Sequence, residues 1–237
     1  MKPRILPVFA TLLLMASCTP HGTGPVYTMD AELYDWVKAP YAIDQSSDQV
    51  PIIADPIVTF QLAPGDSRSA LRAGKEWRLG HAYLFGYDVR LERKSLGNEK
   101  VTLSRLIRKG DPATEIASVQ LDADRGVTVM GRTCIAPTDL GDWHRVEMRI
   151  RLSNRDAGFL EVFCDRKPIW ARVNIRTTFP PVCRLREGCD TDIPKPVRYE
   201  WQLGLLSNGG VAKQIEVEMQ RLHYRRIYYI PHRVGTL

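Results

Sequence analysis

The sequence predicts an all-β sandwich. Three observations carry that expectation: a hairpin pattern over Asp142–Trp170, turn signals recurring about every ten residues, and no helical period over a useful length. In the hairpin, Val146, Met148, Ile150 and Leu152 alternate with Glu147, Arg149 and Arg151, the period-2 pattern of a strand with one buried and one wet face. Ser153–Gly158 is a turn cluster of small polar residues ending in glycine, and Phe159–Cys164 returns as the second strand. Asp165-Arg166-Lys167-Pro168 then turns the chain again before Ile169 and Trp170.

The 237 residues suit one large domain, preceded by a signal and a tether. Residues 1–18 read as an export signal: Lys2 and Arg4 form a basic start, Ile5–Met15 an apolar run, and Ala16-Ser17 the small residues before Cys18. The run is too short for a membrane-spanning helix. Met15-Ala16-Ser17-Cys18 resembles a bacterial lipobox, which implies cleavage before Cys18, lipidation of its thiol, and a lipid-anchored place in the periplasm or at the outer membrane. Residues 19–55 read as tether and lead-in, with Pro20, Gly22, Gly24 and Pro25 as spacer. Residues 56–237 form the predicted sandwich domain.

Across its boundary with the lead-in, Val50–Phe60 is an edge or first strand interrupted at Asp55-Pro56. Further strands are expected at Arg68–Arg72, Ala82–Leu91, Lys100–Ile107, Ile116–Leu121, Gly126–Ile135, Tyr199–Leu206 and Ile215–Tyr229. Losing Lys2 and Arg4 with the signal takes the formal charge from +6 to +4, still basic. For an exported protein that favours acidic polysaccharide over nucleic acid, and no basic block with interleaved aromatics forms a nucleic-acid motif.

Setting Cys18 aside leaves Cys134, Cys164, Cys183 and Cys189, an even set for an oxidising compartment. Cys183 and Cys189 bracket a loop short enough for a local bridge, and Cys134 would then pair with Cys164. A four-thiolate metal site is the competitor, but no Cys-x-x-Cys pair is present. The five histidines, His21, His81, His144, His223 and His232, show no metal spacing, and no metal or cofactor is expected. His144, beside Trp143 at a strand start, reads as structural.

The hairpin Asp142–Trp170 resembles that of concanavalin A-like jelly rolls, especially polysaccharide lyases of the alginate, glucuronan and heparin lyase type; the resemblance covers roughly Ile57–Tyr229. It implies a jelly-roll sandwich and β-elimination from a uronic acid unit, which needs a base, an acid and a cation that neutralises the sugar carboxylate. Three stations of that family can be compared residue by residue. Its Arg-Ser-Glu-Leu-Arg strand is here Arg68-Ser69-Ala70-Leu71-Arg72, with alanine at the acidic position. Its Gln-x-His strand is replaced by Thr102–Arg108, which contains neither residue. Its Tyr-Phe-Lys-x-Gly-x-Tyr strand is here Tyr199–Leu206, which keeps the first tyrosine and Gly204 but has Gln202 near the lysine position and Leu206 near the catalytic tyrosine.

The groove candidates are then Arg68, Arg72, Arg105, Arg108, Tyr199 and Gln202, with Tyr199 and His81 as stand-in catalytic candidates and Trp77, Tyr83 and Trp201 as candidates to stack on sugar rings. Laminarinase-like hydrolysis fits less well, because Glu216-Val217-Glu218 is followed by Gln220 where another acid is wanted. No Gly-x-Ser-x-Gly elbow is present. The expectation is an envelope lipoprotein that binds acidic polysaccharide without the standard lyase chemistry. The alternatives are an active polysaccharide lyase and a structural envelope protein. The signal reading makes one prediction: Cys18→Ser should move the domain from the membrane fraction to the soluble periplasm, and identical soluble fractionation of both proteins would contradict lipidation.

Overall fold

The computed structural model describes residues 27–28, 41–54, 56–75, 77, 79–91, 96–109, 113–177 and 199–228. Cys18 and the rest of the signal, and the predicted pair Cys183 and Cys189, lie outside them. The first strands in chain order are β1 (Tyr27–Thr28), β2 (Ala42–Ile43), β3 (Ile52–Ala54), β4 (Ile57–Leu62), β5 (Arg68–Lys75) and β6 (Ala82–Arg90). Next come β7 (Lys100–Arg108), β8 (Thr114–Asp122), β9 (Gly126–Val129), β10 (Arg132–Ile135) and β11 (His144–Arg151). The last are β12 (Gly158–Cys164), β13 (Lys167–Ile175), β14 (Tyr199–Leu206) and β15 (Ile215–Ile227).

They make two antiparallel sheets. The eight-stranded sheet runs β13-β12-β11-β6-β15-β4-β3, with β1 also paired to β15; the seven-stranded sheet runs β10-β9-β8-β7-β14-β5-β2. This is the expected jelly-roll sandwich. The hairpin expected within Asp142–Trp170 forms: β11 pairs with β12 from Val146↔Cys164 to Arg151↔Phe159, and Val146, Met148 and Ile150 are buried.

Two details differ from the sequence reading. Gly126–Ile135 is a hairpin, β9 and β10, rather than one strand. Met130 and Gly131 both have positive φ (50° and 78°), the geometry that two-residue hairpin turns favour, and methionine is not a residue that announces such a turn. Within residues 19–55, β1 and β2 also join the sheets, whereas β3 and β4 are the expected edge strand interrupted at Asp55-Pro56, with β3 folded back on β4.

Between the sheets lies an aromatic cluster. Phe85 of β6 meets Trp201 of β14 and Trp77 edge-on, each at 5.1 Å between ring centroids. Tyr41 and Tyr224 join it, as do Tyr83, Tyr87 and Tyr199. Trp77, Tyr83 and Trp201 are all buried in this core, so they pack the sandwich and do not face a sugar. Cys134 of β10 is bonded to Cys164 of β12, with Cα atoms 5.5 Å apart, and this bridge joins one sheet to the other.

His144 is structural, as expected. Its Nδ1 lies 2.7 Å from Asp165 Oδ2 in the β12–β13 turn, and its Nε2 lies 2.9 Å from the Asp139 carbonyl. Burial opposes protonation, but these bonds and the charges of Asp165 and Asp139 prevail and raise the ring above the ordinary histidine range. A raised folded value means the stabilisation is complete below the unfolded value, about 6.5, and is lost as pH rises through the folded one. His144→Ala should therefore cost up to about 1 kcal/mol near pH 5.5, because the exposed Asp165 screens the pair, and less near pH 9. Urea denaturation at both pH values checks this; an equal loss at both would contradict it.

Candidate functional site

β14 lies between β7 and β5, and every residue in it is buried. Alternation divides the strand: Tyr199, Trp201 and Leu203 turn to the core, while Glu200 and Gln202 turn outward. Register then sets their neighbours. Gln202 stands opposite Arg105 of β7 on one side and Arg72 of β5 on the other, and directly opposed residues share a face.

A polar row crosses this outward face. Arg105 Nε donates to Gln202 Oε1 at 2.6 Å, and Gln202 Nε2 donates to Glu200 Oε1, also at 2.6 Å. The other oxygen of Glu200 pairs with the Lys109 ammonium just beyond the end of β7. Glu200 is 3% exposed and Gln202 5%, so leaving either unpaired would carry the cost of a buried polar group. Burial, then the charge of Arg68, lowers the proton affinity of Arg105, against the pull of Glu115, Asp44 and Glu200.

Arg68 is held differently. Its Nη1 donates to Asp44 Oδ2 at 2.9 Å and to Ser46 Oγ at 2.7 Å. The segment carrying these residues laps over β5: Ser47 Oγ donates to the Ala70 carbonyl at 3.3 Å and accepts from the Ala70 N–H at 3.0 Å. The carboxylate beside Arg68 thus comes from Asp44, on the segment that laps over Ala70. Burial pushes the Asp44 carboxyl up, but hydrogen bonds from Ser46 and the Arg68 guanidinium outweigh it and lower its pKa. Arg72 is half-buried and, among the described residues, makes no side-chain hydrogen bond or ion pair, which leaves its guanidinium available beside the row.

The structure brings Arg68, Arg72, Arg105 and Gln202 onto one face, and sends the other predicted residues elsewhere. Arg108 and Tyr199 are opposed to each other on the inward side, because an odd separation from Arg105 and from Gln202 reverses the face. Arg108 buries an Nε without a hydrogen-bond partner, and Tyr199 stacks on Trp77 at 6.4 Å. His81 belongs to the other sheet, lining an open cavity of about 420 Å³ with Arg151, Arg226 and Tyr228. Three residues of the face were missed from sequence. Glu200 was legible by alternation from Gln202, whereas Lys109 and Asp44 reach the site through tertiary pairing.

The other carboxylates weighed for hydrolysis are engaged across strands: Glu216 accepts from Gln61 Nε2 at 2.6 Å, and Glu218 pairs with Arg90. Among the described residues, no group of three or more His, Cys, Asp or Glu side chains could hold a metal ion.

No family model matches the sequence, and no curated protein matches it. Solved structures do. An alginate lyase is similar with a TM-score of 0.59 at 12% identity, over 90% of this chain and 96% of its own. An alginate lyase from Chlorella virus gives 0.57 at 10% identity, over 85% and 99%. An endo-β-1,4-glucuronan lyase from the fungus Trichoderma reesei gives 0.52 at 13% identity, over 84% and 89%. The chain shares the polysaccharide lyase fold. One alginate lyase of this fold was solved with alginate tetrasaccharide bound, at a TM-score of 0.59.

The row itself is testable. Gln202→Leu removes the link between Arg105 and Glu200 and should destabilise the fold by about 1–3 kcal/mol, the cost of leaving buried polar groups unpaired. Urea denaturation measures it, and a neutral result would mean that the two ends find other partners.

Proposed function

We propose that this protein is a polysaccharide lyase that takes a uronic-acid polymer across the outward face of its seven-stranded sheet. The observation that carries the reading is Arg72, a half-buried guanidinium without an ion pair among the described residues, beside the row of Arg105, Gln202, Glu200 and Lys109. A guanidinium takes a carboxylate bidentately, and neutralising a uronate carboxylate makes the neighbouring C–H acidic enough to lose its proton. In the elimination, that proton passes to a base, the C–O bond to the next sugar breaks, a C=C bond forms, and an acid protonates the leaving oxygen. On this face the row offers one proton-accepting carboxylate, Glu200, and one exposed ammonium, Lys109. The shared fold of alginate and glucuronan lyases supports the same reaction class.

The second reading is binding without cleavage. What favours it is that the stand-in catalytic groups, Tyr199 and His81, are both off this face. Under either reading we place the domain in the bacterial envelope, anchored through Cys18; the support is the sequence of residues 1–18 alone.

One experiment separates the readings. Wild type should bind alginate or glucuronan, more weakly as salt rises, and Arg72→Ala should lose about 10- to 100-fold in affinity, as expected for a charge-assisted contact. Ultraviolet absorbance of the unsaturated product should grow with wild type and vanish with Lys109→Met while binding persists. Binding without any absorbance selects the second reading. No binding to acidic polymers removes both and leaves a structural envelope protein.

A further inference from the structure

The opposite outer face of the sandwich carries a second polar cluster. On the eight-stranded sheet, β11, β6 and β15 lie side by side, and their outward residues align in rows: Glu147–Gly86–His223, then Arg149–Leu84–Arg225. One row further, Asp88, 2% exposed, sits between Arg145 Nη1 at 3.4 Å and the Arg221 guanidinium. Arg145 also donates Nε to Glu147 Oε1 at 3.0 Å. Asp88 and Glu147 therefore already hold guanidinium groups.

Two groups are left over. His223 is 6% exposed, and its Nδ1 lies 2.9 Å from the Arg221 carbonyl. A carbonyl only accepts, so Nδ1 carries the proton and Nε2 is a bare acceptor, with no partner among the described residues. Burial is the main cause that keeps this ring below the ordinary histidine range; Arg145 and Arg225 add to it, against the Arg221 carbonyl and Glu147. The second group is Arg225, whose buried Nε has no hydrogen-bond partner and which makes no ion pair among the described residues. Gly86 makes room for the arrangement. A Cβ there would stand 2.5 Å from His223 Cε1 and 2.9 Å from Nε2.

An acceptor-only nitrogen and a donor-only cation lie two residues apart on one strand face, roughly 6–7 Å between their attachment points. The complementary ligand offers a hydroxyl to the first and an anionic oxygen to the second. A plain carboxylate would set lone pairs against Nε2, a neutral sugar would leave Arg225 unneutralised, and an ammonium would be repelled by the Arg225 guanidinium. We propose that this face is a second binding site, separate from the arginine row, for a hydroxy-carboxylate such as a uronate unit, with a hydroxyl donating to His223 Nε2 and the carboxylate on Arg225.

The His223 Hε1 resonance, assigned by its absence in His223→Gln, is the readout. Titration of the full protein with glucuronate should shift it saturably. Acetate and glucose should each bind at least about tenfold more weakly, and Arg225→Gln should weaken glucuronate to a similar degree, the value of one charge-assisted contact. Arg72→Ala should titrate like wild type, so this site stands or falls independently of the other face. An oligouronate titrated in parallel distinguishes the sources: tighter binding than glucuronate assigns a polymer unit, weaker binding a free sugar acid. No shift with either uronate, an equal response to acetate, or indifference to Arg225→Gln would overturn the proposal.

Discussion

Glu200 and Gln202 point outward from a strand that has no exposed residue, and much of the site follows from that constraint. Their polar atoms are largely withdrawn from bulk water, so side chains must satisfy them. Arg105 and Lys109, both from β7 or its end, do so at the two ends of the row. The same strand face that is costly to bury is therefore also the one that orders cations. Arg72 is in register with this row but outside its bonding, so its charge stays available.

The inward side of β14 imposes a complementary demand. Trp201 meets Phe85 across the sandwich, and Gly204, at φ 128°, brings the strand so close to β5 and β4 that a Cβ would lie 2.2 Å from the Ser69 carbonyl oxygen and 2.6 Å from Phe60. Only glycine meets both the conformation and the space. Close approach at one point of the sandwich is matched by a covalent tie at another, Cys134–Cys164, which holds β10 of one sheet to β12 of the other. A core fixed in this way keeps the register of β5, β7 and β14, and hence the spacing of their outward side chains.

The two outer faces solve their electrostatics in the same manner and leave different remainders. On the seven-stranded sheet, carboxylates engage Arg68 and Lys109 and leave Arg72. On the eight-stranded sheet, Asp88 and Glu147 engage Arg145 and Arg221 and leave Arg225 beside a neutral imidazole. Among the described residues each outer face thus keeps an arginine without an ion pair, Arg72 on one and Arg225 on the other.

Period-2 alternation determined most of the strands from sequence alone, because one buried and one wet face leave a direct record in residue type. It gave β11 and β12 with their turn, and it put Arg68 and Arg72 on a common face. Where turn residues were untypical, as at Met130-Gly131, the record failed and one strand was read for two. Alternation also forbids Arg105 and Arg108, or Tyr199 and Gln202, from sharing a side, a constraint present in the sequence that motif comparison passed over. Only tertiary structure decided the rest. Asp44 reaches Arg68 across 24 residues, and His223 settles over Gly86 from a strand far along the chain. Such contacts depend on sheet order and register, which are set by packing of the whole core and leave no local trace in the residues that make them.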